Sequence, residues 1–177
     1  MQQTLFALVE NKPGVLNRVA SLFRRRNFNI ESLNVSHTEK PDISRMTIVV
    51  DSEGVDARKV EANLYKLVNV IDVQDVTRQP AVARDLALIK VKADPEQRGE
   101  VANLAAIFRA NIVDVAPDSV IVEITGTKDK IDSLVELLRP MGVEELVRTG
   151  LVAMMRGSEV GIRHTPGANG NKPVNIN

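Results

Sequence analysis

The stretch Thr4-Leu5-Phe6-Ala7-Leu8-Val9-Glu10-Asn11-Lys12-Pro13-Gly14-Val15-Leu16 carries the chain from one periodicity to another. Residues 4–10 alternate as a half-buried strand does. Asn11-Lys12-Pro13-Gly14 breaks the strand, since proline and glycine punctuate regular structure. A helical pattern follows, with Val15, Val19 and Leu22 on one line and Leu16, Ala20 and Phe23 beside it. Arg24, Arg25 and Arg26 fall in its last turn, where positive charge suits the helix dipole. Residues 29–38 and 43–51 then read as two strands around a hairpin loop at 39–42, with Met46, Ile48 and Val50 on one face. A second helix uses Val60, Leu64, Leu67 and Val68, and residues 70–78 return as a strand. The order is β-α-β-β-α-β.

After a short linker at 80–84 the same order begins again. Leu86 to Val91 reads as a strand. Asp94-Pro95-Glu96-Gln97 opens a helix with an N-cap, a proline in its first turn and a glutamine placed to close a capping box. Val101, Leu104, Ala105 and Phe108 form its buried stripe. Residues 111–115 and 119–125 follow as strands. Thr127 caps a helix carrying Ile131, Leu134, Val135 and Leu138, which Pro140 and Gly142 are expected to stop. A last strand runs from Val143 to about Met155, with a bend at Gly150. The fold class read from this order is α+β: two tandem ferredoxin-like units, residues 1–79 and 85–156, joined by the linker at 80–84. Residues 157–177, rich in Gly, Asn and Pro and without apolar period, read as a flexible tail. Helices cover one face of each sheet, so the apolar strands around 44–50 call for cover on the other, from a second sheet or a neighbouring subunit.

Composition removes much chemistry. The 177 residues hold no Cys, which excludes thiolate catalysis, disulfides and cysteine metal sites. His37 and His164 are the two histidines, and His37 reads as a partly exposed strand residue. Residues 1–80 carry 11 basic and 10 acidic groups, and residues 81–177 carry 12 and 13. That even balance, with 3% aromatics, argues against RNA, which needs stacking platforms and a basic face. No nucleotide-binding, nucleophile-elbow or zinc-protease motif is present. No signal peptide and no bilayer-length apolar run is visible, so a cytoplasmic protein without membrane contact is expected.

One loop offers a site. Asn11–Leu16 joins a strand to a helix N-terminus, where backbone N–H groups lack intrahelical partners and can hold an anion. Gly14 lets a carboxylate approach the backbone. Asn11 supplies an amide donor and a carbonyl acceptor. Val15 and Leu16 could enclose a short aliphatic side chain, so the set fits a free amino acid. The same loop also reads as a plain Pro-Gly turn into a helix.

Asn11-x-x-Gly14-x-Leu16 within β-α-β-β-α-β resembles the ACT domain, a small-molecule sensor of amino-acid metabolism. Phe28-Asn29-Ile30-Glu31-Ser32-Leu33, Ser44-Arg45-Met46-Thr47-Ile48, Ile107-Phe108-Arg109 and Ile112-Val113-Asp114-Val115 are similar to the regulatory small subunits of acetolactate synthase (acetohydroxyacid synthase). The resemblance spans nearly all of the chain but the tail. It implies a non-catalytic subunit of branched-chain amino-acid biosynthesis, forming a homodimer through its ACT sheets. Such a subunit raises the activity of a catalytic large subunit, which converts two pyruvates to 2-acetolactate and CO2, and confers feedback inhibition by valine. Thiamine diphosphate, Mg2+ and FAD are implied on the large subunit, with no cofactor or metal on this chain. Effector residues carried over by position are Asn11, Gly14, Val15 and Leu16 from one ACT domain and Asn29 and Ile30 from another. An ACT-domain sensor of a different enzyme is the competing reading, with an RNA-binding ferredoxin-like protein the remote one.

Overall fold

The computed structural model describes residues 2–51 and 57–157. His164 and the tail beyond residue 157 lie outside the described residues. The first unit contains β1 (Gln2–Glu10), α1 (Val15–Arg25), β2 (Asn29–His37), β3 (Ile43–Asp51), α2 (Ala57–Leu64) and β4 (Val70–Asp75). Its antiparallel sheet has the order β2-β3-β1-β4. The second unit contains β5 (Ala81–Lys92), α3 (Arg98–Ile107), β6 (Asn111–Val115), β7 (Ser119–Gly126), α4 (Lys128–Gly142), β8 (Val143–Arg148) and β9 (Val152–Met155). Its sheet repeats the order as β6-β7-β5-β8. The chain is α+β, with two tandem ferredoxin-like units.

Each unit buries one apolar face of its sheet under its helices. Leu5, Ala7, Val9, Met46, Ile48 and Val50 pack against Val15, Val19, Leu22 and Phe23 of α1 and Val60 and Leu64 of α2. In the second unit, Ala87, Ile89, Val91, Val120, Val122 and Ile124 meet Val101 and Ala105 of α3 and four residues of α4. Only one of the two lines expected on α1 is fully buried. Leu16 is 45% exposed and Ala20 is exposed, while Phe23 on the same line is buried with Val15, Val19 and Leu22.

Several boundaries differ from expectation. Helix α2 ends at Leu64, so Leu67 packs from the following turn and Val68 is 72% exposed. β4 ends at Asp75, whose carboxylate accepts the Thr77 N–H at 2.9 Å and turns the chain. Pro140 sits inside α4 rather than ending it. Its fixed φ suits a last helical turn, and Gly142 at φ +99° closes the helix. The reciprocal Asp94–Gln97 pair forms, with Asp94 Oδ1 accepting the Gln97 N–H at 2.9 Å and Gln97 Oε1 accepting the Asp94 N–H at 3.4 Å. It lies, however, in the turn before α3, whose N-cap Gln97 makes no side-chain cap.

The largest difference lies at residues 81–84. Expected as linker, they form the first part of β5 and pair antiparallel with β9, Ala81 opposite Met155 and Arg84 opposite Val152. The expected single last strand divides at Gly150, φ +80°, into β8 on the second sheet and β9 on this ribbon. The ribbon covers the far face of the first sheet. Met155 packs with Phe6 and Val76, all less than a tenth exposed. Arg45 stacks over the Phe6 ring at 4.1 Å and donates to the Ala153 carbonyl at 3.0 Å. The cover expected from a second sheet or a neighbour thus comes from the chain's own later strand.

Tyr65, after α2, ties that helix to β4. Its hydroxyl donates to the Asp72 carboxylate and accepts the Val73 N–H at 3.1 Å. Burial, reinforced by the Asp72 contact, pushes the phenol up from 10.0 to about 12. Because the folded value is the higher one, this contribution to stability is complete below pH 10 and lost as pH rises through 12. The chain has one Tyr and no Trp, so alkaline absorbance titration reads this group alone. The phenolate should appear with a midpoint near 12; a midpoint near 10 would show that the Tyr65–Asp72 contact does not hold in solution.

Candidate functional site

The loop between β1 and α1 is fixed from three directions. The Asn11 N–H donates to the Asp42 carbonyl at 2.7 Å, and its side-chain amide donates to the Pro41 carbonyl at 2.8 Å. The same amide lies 3.3 Å from His37 Nδ1. Around the helix start, Arg18 donates to Asn69 Oδ1 at 2.5 Å, Asn69 donates to Glu10 Oε2 at 2.5 Å, and Lys12 pairs with Glu10 at 3.2 Å. The Asn69 hydrogen bond and the Lys12 ammonium hold the Glu10 carboxyl below its usual range. This anchorage is therefore present above the ordinary carboxylate pKa and lost as pH falls through the lower folded value.

The helix N-terminus has no internal cap. Gly14 is the N-cap at φ 83°, with no side-chain hydrogen bond to the first turn. The Val15 N–H reaches the Lys12 carbonyl at 3.3 Å, and Arg18 N–H bonds to Gly14. The N–H groups of Leu16 and Asn17 have no hydrogen-bond partner among the described residues, as expected for an open helix start. A Cβ built on Gly14 meets no atom within 4 Å, so the space before the helix is open. The corresponding place in the second unit is closed. There the Asp94 carboxylate accepts the Glu96 and Gln97 N–H groups at 3.0 and 2.9 Å. The second unit supplies its own anion.

Each residue singled out in the sequence has a definite place. Asn11 is exposed; its amide donor is used locally, and its Oδ1 has no partner among the described residues. Val15 is 5% exposed, so its side chain belongs to the core. Leu16, 45% exposed, presents its side chain at the surface. Asn29 is exposed and donates to Glu31 Oε1 at 2.7 Å, while Ile30 is half-buried against the core.

These residues fall into two groups that one chain keeps apart. The loop lies at the β2–β3 hairpin end, beside His37 and Pro41. Asn29 and Ile30 begin β2 at the other end, opposite Asp51 and Val50. Seven residues of strand separate Ile30 from His37, roughly 23 Å at a rise of about 3.3 Å per residue. No single amino-acid ligand spans that. β2 is, however, an edge strand with most of its residues exposed or half-exposed. Two β2 edges running antiparallel would place the start of each beside the hairpin end of the other.

His37, Pro41 and Asp42 were not read as site residues; they join it because the hairpin folds back onto Asn11. The arginine run contributes elsewhere: Arg25 and Arg26 line a groove of about 310 Å³ with Leu22, Asn63, Lys66 and Leu67, between the C-terminal ends of α1 and α2.

With this geometry in view, likeness to known proteins is specific. Residues 5–72 match the family described as an AHAS small subunit-like ACT domain. Residues 84–157 match the family described as the small subunit of acetolactate synthase. The chain belongs to the acetolactate synthase small-subunit family. A probable acetolactate synthase small subunit of Archaeoglobus fulgidus is 54% identical over 159 residues, covering 90% of this chain and 99% of the relative. The small subunit of Bacillus subtilis is 44% identical over 160 residues, covering 90% of this chain and 93% of its own length. The crystal structure of the Thermotoga maritima small subunit superposes with a TM-score of 0.82 at 42% identity, over 89% of this chain and 98% of that one. No described helix is long and apolar enough to cross a membrane.

The open space at Gly14 gives a stability prediction. Gly14→Ala places a Cβ in the left-handed region without a steric clash, so it should cost only about 1 kcal/mol of backbone strain. Denaturant unfolding checks this. A loss several times larger would mean that the loop is packed rather than open.

Proposed function

We propose that this chain is the regulatory subunit of an acetolactate synthase and that valine is its effector, bound between the ACT units of two copies. The uncapped, open N-terminus of α1 carries this reading, in a chain whose family is defined by acetolactate synthase small subunits. The effector carboxylate accepts from the free N–H groups of Leu16 and Asn17, with Gly14 clearing its approach. Asn11 Oδ1 takes the ammonium. Leu16 of one copy and Ile30 of the other contact the isopropyl group, and Asn29 supplies a second polar contact. Val15 sets the position of the helix start from within the core.

In this reading residues 1–79 bind effector and dimerise through β2. Residues 85–156 form the second unit, and the 80–84 segment belongs with it through β9. Without valine the dimer raises the activity of the catalytic large subunit, which condenses two pyruvates to 2-acetolactate with loss of CO2. Thiamine diphosphate, Mg2+ and FAD belong to that partner. With valine bound, the dimer adopts an arrangement that activates less well. Charge-assisted hydrogen bonds contribute roughly 1.5–3 kcal/mol each, and burying the isopropyl group about 1.5–3 kcal/mol. Association costs offset much of this and leave micromolar to millimolar affinity, a working range for a metabolite sensor. A cytoplasmic location follows from the role.

Gly14→Asp tests the assignment by placing a fixed carboxylate where the effector carboxylate binds. In a complex reconstituted with the large subunit, it should abolish valine inhibition while subunit association and valine-free activity persist. Full valine sensitivity in that variant would contradict the assignment.

A further inference from the structure

We propose that the contact between Ser32 and the Gly150–Leu151 turn is the joint that relays effector occupancy from the first unit to the second. The proposal rests on the reading of Asn29 and Ile30 as effector contacts. Their strand changes register immediately after them: Ile30 opposes Val50, Ser32 opposes Val49, and Glu31 is the extra residue. Such a bulge interrupts the ladder and bends the strand locally, so a shift of Asn29 and Ile30 turns the strand at Ser32. Ser32 is the first residue beyond it, and its Oγ accepts the Leu151 N–H at 3.1 Å.

The partner turn is closely fitted and firmly held. Gly150 sits at φ +80°, and a Cβ there would stand 2.3 Å from Ser32 Oγ, so glycine serves both the conformation and the close approach. Its neighbour Thr149 is tied to the central strand of the second unit. The Thr149 N–H donates to the Leu86 carbonyl at 3.0 Å, its hydroxyl accepts the Leu86 N–H at 3.1 Å, and it lies 3.2 Å from Asp85 Oδ1. Arg148, one residue earlier, pairs with Asp85 at 2.9 Å and with Asp132 of α4 at 2.7 Å. Displacement at Ser32 is thus passed to β5 and α4 rather than absorbed in a loose loop. Farther along, Arg45 on Ala153 and Met155 against Phe6 and Val76 provide a broader contact. Among the described residues the two units therefore meet at a heavy pivot and at the Ser32–Leu151 hydrogen bond, two residues beyond Ile30. A ligand that favours one position of the bulge changes the angle at the lighter contact while the pivot holds.

The test uses the full chain reconstituted with its catalytic subunit, with valine as probe. Ser32→Ala should bind valine by calorimetry within about twofold of the unaltered chain and keep valine-free activity, yet lose at least about half of the maximal inhibition. Gly150→Ala should lower the thermal midpoint, and adding Ser32→Ala should recover much of that loss, because Cβ on Cβ at 3.5 Å is an ordinary contact. Unchanged binding with unchanged inhibition in Ser32→Ala would overturn the joint, as would joint loss of binding and inhibition, which would place Ser32 inside the effector site. If the unaltered chain binds no valine, the effector reading fails first and the joint falls with it.

Discussion

The first sheet buries an apolar patch around Phe6 on the face away from its helices, and the rest of the molecule answers that constraint. One face takes α1 and α2. The other has Phe6 at 1% exposure and Val76 at 4%, and a four-stranded sheet with two helices has nothing left to cover them. The covering element is β9, from the far end of the second unit, held by Arg45 stacked on Phe6 and bonded to Ala153. Burying a residue of phenylalanine size contributes about 1.5–3 kcal/mol, so the two units are joined by a small core rather than by a tether alone. Because β9 must reach across, β5 must begin early, at Ala81, to pair with it. That is why no free linker exists at residues 81–84.

The two units share a topology but not a chemistry. Both begin a helix after their first strand, where four backbone N–H groups need partners. The second unit fills the space before its helix from within, where the Asp94 carboxylate accepts the Glu96 and Gln97 N–H groups. The first places Gly14 there, leaves the first turn open, and spends its polar groups on fixing the loop to the β2–β3 hairpin and to Asn69. An open helix start on a braced loop is suited to a ligand carboxylate. The strand residues assigned to the proposed effector site lie at the opposite end of β2, so the proposed site needs the symmetry of a dimer rather than the fold of one chain.

Much of this was legible in the sequence because it is local. Alternation in residues 4–10 and 43–51, the 3.6-residue spacing of Val15, Val19 and Leu22, and Pro13-Gly14 between them specify strand, helix and break without reference to the rest of the chain. Gly14 could be singled out because, without a Cβ, it lets a carboxylate approach the backbone at a helix start. What escaped was set by distant partners. Ala81-Val82-Ala83-Arg84 is too short and weakly patterned to read as strand, and its partner lies some seventy residues later. Leu16 and Ala20 looked like core because helical period reports a stripe, not how much of it a flat sheet can touch. His37 read as an exposed strand residue; its place beside Asn11 depends on how the hairpin folds back.

The central claim is that each effector site takes its loop from one copy and its strand from another. Complementation between two defective chains tests it most directly. One chain carries Gly14→Asp, the other Ile30→Asp, and valine binding is measured by calorimetry on each alone and on the pair co-refolded in equal amounts. Neither chain alone should bind. The mixture should recover binding at about a quarter of the original site number, since half of the dimers are mixed and each mixed dimer has one intact site. No recovery in mixed dimers shown to form would place the whole site within one chain and contradict the account.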